Sequence, residues 1–457
     1  MQDIINKLIT IKYRNSQPIL VLLNYKKITR KGLAVIYRQE ILQDIALFTS
    51  IPKDQFYDKL FANLDLSQFP EPTAKTGRNG FSKRALLCAF IVMKCECFSC
   101  ITDLVDYLNN NLIIAHYCGF NIIKPLSSYW TFDRFIRNID NKLLKNLMQS
   151  QLLKLSHMGI LNTSVIALDS TPINAHTHQN NPKSFAKNKF AKHNQPKSDK
   201  DCRLGVHTAS NQYNERNFEY YCGYKNHILI DCITGLPILE MTTTADVSDC
   251  TVTLDILSQT NHFISIDKCT FLADKGYDVK AVYNTVKQLY HGECVIALNK
   301  RNTKNPKKLS SGHPICEAGL AMMKDGKSYD NHRTRQKYCC PLKQSKNKSC
   351  PCNHKCWNNG KKNRGCTKYI TLPDDYRLSI DRDCISFKKI YALRTEVERY
   401  NARFKQTGQE RMWVHGFNAV QNLNSVAHIA LLAVAFAAFI TKSKCFYRSL
   451  KSIKRIA

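Results

Sequence analysis

From about Phe81 to Leu161 apolar residues recur three and four positions apart, through RALLCAFIVM, ITDLVDYLNNNLIIAHYCGF and TFDRFIRNIDNKLLKNLMQSQLLKLSHMGI, with breaks at Gly119 and Pro125. That period predicts helices, and residues 1–160 are expected to form an all-α N-terminal domain for DNA binding or assembly. A helical module of this kind can place one helix in a major groove or serve only as a bundle, and the pattern suits both uses. The character changes at Ser164. VIALDSTPI is a short apolar strand that runs into a carboxylate, Asp169. YKNHILIDC and LPILEMTTTA then flank Ile233, Thr234 and Gly235 as a β-hairpin. Asp246 and Asp249 suit the start of a helix through VTLDILSQT, because short acidic side chains cap free backbone amides. CTFLADKGYD is a second apolar strand that ends in a carboxylate, Asp274. The helical VKAVYNTVKQLY and the strand Cys294–Leu298 follow it. Strand, hairpin, helix, strand, helix and strand in that order predict a mixed α/β sheet over residues 161–300.

Two stretches interrupt this rhythm. QNNPKSFAKNKFAKHNQPKSDKDCR, with lysines at 183, 187, 189, 192, 197 and 200, reads as a loop that is either a solvated linker or a phosphate-contacting arm. Residues 301–389, rich in lysine, asparagine, glycine and cysteine, have little regular periodicity and read as an insertion. Residues 390–457 then bring back helical patterning. They end in the apolar run Ile429–Ile440, shorter than the roughly 18 residues that suggest a membrane span, so a buried helix and no membrane partner are expected.

Charge narrows the class of partner. Lysine and arginine total 67 against 36 acidic residues, a formal charge of +31, which favours a polyanion and above all nucleic acid. The opening MQDIINKLITIKYRN has polar residues where a secretory segment needs an apolar stretch, so a cytoplasmic protein is expected. Its 20 cysteines are then expected to be thiols or metal ligands. Cys352 and Cys356, with His354 between them, have a spacing acceptable for structural zinc, which Cys340 or Cys350 together with Cys366 would complete. A loop of reduced thiols is the alternative.

The chemistry concentrates in YALRTEVERYNARFK. At about 100° per residue, Tyr391, Arg394, Glu398 and Lys405 fall within roughly a 60° arc of one helix, and Glu396 points away from it. Asp169 and Asp274 end two strands of an α/β sheet, where loops and helix termini converge into a crevice, and Glu398 supplies a third carboxylate. Three carboxylates together repel one another, and two hard divalent cations, Mg²⁺ or Mn²⁺, relieve that repulsion through oxygen ligation. Two such ions can drive in-line displacement at phosphorus.

With these residues in place the chain resembles the DDE transposases of bacterial insertion sequences. Tyr391, Arg394, Glu398 and Lys405 match that family's Y-x2-R-x3-E-x6-K signature, and LDST around Asp169 and DKGYD around Asp274 match its two aspartate motifs. The resemblance implies an RNase H-like mixed-sheet catalytic core, with the Cys-rich insertion lying between the second aspartate and the catalytic glutamate. It implies that Asp169, Asp274 and Glu398 hold the metals, and that Tyr391, Arg394 and Lys405 grip the backbone of the element's ends. Double-stranded DNA, as terminal repeats and as target, is the implied partner, bound by a homodimer or higher oligomer that holds two ends together. An RNase H-like nuclease without strand transfer, and a catalytically inactive DNA-binding descendant, are the competing readings.

Overall fold

The computed structural model describes residues 52–72, 80–180, 196–210, 216–299, 313–330, 333–344, 365–371, 376–382, 384–441 and 446–450, together with the backbone of three strands within residues 7–41. The loop lysines 183, 187, 189 and 192 lie outside the described residues, as do Cys350, Cys352, His354 and Cys356. Two compact units divide the chain. The first comprises residues 1–152, 197–200 and 404–457, and the second residues 153–196 and 201–403.

The first unit opens with an antiparallel sheet of β1 (Lys7–Ile11), β2 (Ile19–Ile28) and β3 (Ile36–Ile41) in that order. The N-terminal region is therefore not all-α, and the expectation is corrected there. The segment ILVLLNYKKI is rich in isoleucine, valine and tyrosine, the side-chain types that favour a pleated strand. The helices follow: α1 (Pro52–Ala62), α2 (Lys83–Cys95), α3 (Ile101–Asn110), α4 (Leu112–Tyr117), α5 (Tyr129–Asn138) and α6 (Asn141–His157). Every residue of α2 from Ala85 to Cys95 is buried, and the Ser82 side chain caps it by accepting from the Ala85 N–H.

Helix α11 (Phe417–Ile440) packs against α2 and α5. At 24 residues it is long and apolar enough to cross a bilayer, but 83% of its most apolar stretch is buried inside the protein, as the core helix of a globular unit would be. Two polar side chains inside this core show how such groups are accommodated. Asn422 donates through Nδ2 to the carbonyls of Ile136 and Ile139, satisfying acceptors that the end of α5 leaves open. The Lys94 ammonium, 1% exposed, donates to Gln409 Oε1 at 3.2 Å.

The second unit holds a six-stranded mixed sheet. Its members are β4 (Val165–Asn174), β5 (Arg203–Ser210), β6 (Arg216–Asp231), β7 (Pro237–Thr244), β8 (Thr270–Ala273) and β9 (Glu293–Ile296). The path runs β5-β6-β4-β8-β9, and β7 pairs with the second half of the long β6. β4–β8 and β8–β9 are parallel, while the pairings made by β6 are antiparallel. The turn of the β6–β7 hairpin contains Gly235 at φ 69°, which a side chain would disfavour. Helices α7 (Asp249–Phe263) and α8 (Lys280–Leu289) supply the crossovers to β8 and β9. The α7 N-cap is Ser248, and the Asp246 carboxylate accepts from Thr244 instead.

Residues 313–371 contain a second antiparallel sheet, β10 (Met323–Asp330), β11 (Arg333–Cys339) and β12 (Thr367–Thr371), so the expectation of a region with little strand structure is corrected. Cys340 and Cys366 are buried there with Cys316, Met322 and Tyr338 in a small apolar cluster. The chain then re-enters helix at α9 (Ile385–Ala392) and α10 (Thr395–Phe404).

Candidate active site

The site is built from two neighbouring parallel strands. Ala167 of β4 stands in register with Leu272 of β8. Asp169 lies two residues further along β4, and Asp274 lies two residues past Leu272, just beyond the end of β8 but with its backbone still extended (φ −76°, ψ 175°), so alternation projects both to the same side of the sheet. Asp169 is still within β4. Asp274 is the cap of a 3₁₀ turn, Lys275–Tyr277, and its Oδ1 accepts the Gly276 N–H at 2.7 Å. Glycine at 276 permits this, since a Cβ there would sit 2.8 Å from that same Oδ1.

Helix α10 brings the third acid. Its Asn401 donates through Nδ2 to Asp169 Oδ2 at 3.0 Å, and Arg403 donates to the Gly235 carbonyl at 2.7 Å. Glu398, one turn before Asn401, lies on the same face of the helix. Its carboxylate is turned to Arg394, with Nη2 to Oε1 at 2.6 Å. The Arg394 guanidinium lies 5.5 Å from the centre of the Tyr391 ring, which in turn stacks on Phe387. Tyr391, Arg394 and Glu398 thus form one continuous row.

That row is not one uniform helix, contrary to the expectation. Leu393 and Arg394 form a turn between α9 and α10, in which the N–H groups of Arg394, Glu396 and Val397 bond to carbonyls three residues back. A 3₁₀ step advances about 120° per residue in place of 100°, and the row survives because the interruption is short. The helix changes again at Lys405. That residue opens a π-helical turn, Lys405–Gln409, belongs to the first unit and pairs with Glu410 at 3.4 Å. Glu396 is buried and pairs with Arg399, which leaves Glu398 as the acid of the row.

Electrostatics tie the acids together. Burial pushes the Asp169 carboxyl up to about 7. The neighbouring charges of Asp274 and Glu398 raise it further, while the Ser170 N–H and Arg394 oppose the rise. Beneath, Tyr277 is buried and its phenol is raised well above the usual value, by burial first and then by Asp249, Asp169 and Asp274. Among the described residues no group of three histidine, cysteine or acidic side chains stands close enough to form a ready-made metal site. One oxygen of Glu398 is instead engaged by the Arg394 guanidinium. The donor set nonetheless fits a hard divalent cation. It offers carboxylate oxygens only, and the Asp169 carboxyl is held in a state that a cation would relieve. Of the four cysteines expected to hold zinc, Cys340 and Cys366 are described and share one cluster, while Cys352 and Cys356 lie outside the described residues.

The sequence pattern passed over Asn401. The signal available was its place three residues after Glu398, hence on the same helical face.

A family model for the transposase DDE domain matches residues 161–433. That span begins just before β4 and ends within α11, and it includes Asp169, Asp274 and Glu398. Among solved structures, the cryo-EM structure of a piggyBac transposase synaptic complex with hairpin DNA is similar at 12% identity and a TM-score of 0.39, over 89% of this chain and 76% of that one. No curated protein is significantly similar in sequence.

Proposed function

We propose that this chain, which belongs to the transposase DDE domain family and is a DDE-type transposase, cuts DNA at the ends of a mobile element and joins the freed 3′ ends to target DNA. Within the family, the bacterial insertion-sequence group with the Y-R-E-K helix is the best fit, carried by Tyr391, Arg394, Glu398 and Lys405. An RNase H-like core is supported by the strand order β7-β6-β4-β8-β9, three antiparallel strands followed by two parallel ones.

The observation that carries the reading is the pair Asp169 and Asp274, each two residues beyond the in-register pair Ala167 and Leu272 of adjacent parallel strands, with Glu398 close enough to raise Asp169. Bound among these oxygens, two Mg²⁺ or Mn²⁺ ions would polarise the attacking oxygen and stabilise the leaving one. The chain's own groups do the remaining work. Gly276 fixes Asp274 through its N–H, Asn401 fixes Asp169, and Arg394 offers a guanidinium stacked on Tyr391 to a phosphate. A charge of +31 supplies the general attraction to double-stranded DNA. Two ends must be held at once, which calls for an oligomer.

Asp169→Ala, Asp274→Ala and Glu398→Ala test the reading directly. Each is expected to abolish Mg²⁺-dependent cutting of DNA that carries the element's ends while leaving binding in EDTA within about twofold. Joining of a precut end to target DNA by the unmodified protein distinguishes a transposase from a nuclease of the same core. Retained cutting in any of the three variants would refute the assignment.

A further inference from the structure

We propose that Asn401 is a working member of this site, a positioning residue that clamps Asp169 with its amide N–H and presents its carbonyl oxygen to the shell of a bound divalent cation. The proposal rests on the reading of Asp169, Asp274 and Glu398 as metal ligands and adds to it a neutral fourth group.

The argument starts from hydrogen-bond accounting. Asn401 is 8% exposed, and its Nδ2 lies 3.0 Å from Asp169 Oδ2. When Asp169 is ionised, as it must be to hold a cation, its oxygens only accept, and the amide then stands with the NH₂ toward Asp169 and the carbonyl turned away. That carbonyl oxygen, Oδ1, is buried and has no hydrogen-bond partner among the described residues. A buried acceptor left unmatched costs free energy, and native proteins keep few of them without a use. Here the unmatched oxygen belongs to a side chain whose other end holds a candidate ligand, on the helix face that carries Glu398. Amide carbonyls are ordinary ligands of hard cations and ordinary acceptors for the waters around them. Outer-shell groups of this kind orient ligand oxygens, and their loss typically weakens metal binding by about 10–100-fold.

A purely structural role would tie the residue to fold stability alone. Elsewhere on α10 the fastening is done by others. Val397 and Tyr400 are buried, and Arg403 holds the hairpin carbonyl of Gly235. Asn401 spends its one described hydrogen bond on the acid.

The test uses the full-length chain and Mn²⁺ as the probe, titrated by electron paramagnetic resonance. Melting temperature and end-DNA affinity in EDTA are measured on the same samples. Asn401→Ala is expected to weaken Mn²⁺ binding about tenfold or more, with DNA affinity within twofold and the melting temperature little changed. Asn401→Asp, which restores an oxygen at the same position, is expected to recover part of the lost affinity. Unchanged Mn²⁺ binding in Asn401→Ala, or a loss that simply follows a lowered melting temperature, overturns the proposal. Asp169→Ala separates the two levels. If it too leaves Mn²⁺ binding unchanged, the reading of the acids as ligands fails; if it abolishes binding while Asn401→Ala does not, only the role of Asn401 fails.

Discussion

Asp169→Asn should stabilise the protein in the absence of metal, and the gain should depend on pH in one direction. In the folded chain burial raises this carboxyl from 3.8 to about 7, so between those values the unfolded chain has released the proton that the folded chain retains. Ionising Asp169 therefore costs folding free energy. The penalty is absent below pH 3.8, grows as pH rises toward 7 and is constant above it. At about 1.36 kcal/mol per pH unit the full rise is worth about 4 kcal/mol. The side chain keeps some contact with solvent, which makes that figure a ceiling, and about 2 kcal/mol is the realistic gain. For a unit of this size that is a rise of about 4–8 °C in melting temperature. The assay is a thermal melt of both proteins in EDTA from pH 5 to 8.5. The gap should widen up to about pH 7 and then level. Adding Mg²⁺ should stabilise the unmodified protein and narrow the gap, since binding to the folded state alone raises stability by mass action. A gap that is absent, or that is the same at every pH, would refute the reasoning.

Other outcomes follow from the same geometry. Gly276→Ala places a Cβ 2.8 Å from Asp274 Oδ1 and should reduce metal-dependent cutting about tenfold or more, the equivalent of one displaced hydrogen bond of about 1.4 kcal/mol, while DNA binding measured by gel shift persists. Arg394→Lys keeps the charge but loses the planar fork that bonds Glu398 and lies over Tyr391; end-DNA affinity and cutting should both fall by about tenfold, and rates equal to the unmodified protein would show that charge alone suffices. Lys94→Met should stabilise the first unit by about 1–3 kcal/mol at pH 6.5, because replacing a buried charge with an apolar side chain of similar volume removes a desolvation cost. Burial lowers the Lys94 ammonium from 10.5 to about 7, so the cost is complete below pH 7 and is relieved as pH rises toward 10.5. The advantage of methionine, read by melts at pH 6.5 and 9.5, should shrink at the higher value.

Much of the second unit was legible because its strands obey simple rules. VIALD and TFLAD are short apolar runs with a charge at the end, and YKNHILID, ITG and LPILE state a hairpin and its turn. Those runs pair as expected, and register then brings the two aspartates side by side. The N-terminal strands carry no helical period of the kind found from Phe81 onward, and their signal lies in the β-branched and aromatic residues of ILVLLNYKKI. β10 to β12 are harder to read. Their residues, such as MKDGKSYD and RTRQKYC, are so rich in charge that alternation is hidden, and the apolar cluster around Tyr338 and Cys340 is small. The break at Leu393 has neither glycine nor proline to mark it, whereas the change that opens at Lys405 has a signal in Gly408, which takes φ 86° inside the turn Lys405–Gln409.

The three acids stand in sequence motifs that can be read directly, but only part of what holds them can, and the reason is physical. Each carboxylate is fixed by a donor from a separate source: the Gly276 amide for Asp274, the Arg394 guanidinium for Glu398, and the Asn401 amide for Asp169. Two of those donors are local, within two and four residues of the acid they serve, so a careful reading of DKGYD and RTEVE contains them. The third crosses from α10 to β4 and exists only once the helix has docked on the sheet. That same docking sets Asn401 against Asp169 and fixes how close Arg394 and Glu398 come, the first lowering and the second raising a carboxyl that burial chiefly raises. Position and electrostatics are therefore two consequences of one contact. A change that shifts α10 by a fraction of a turn should alter the pH dependence of stability and the affinity for divalent cations together, even with all three acids intact.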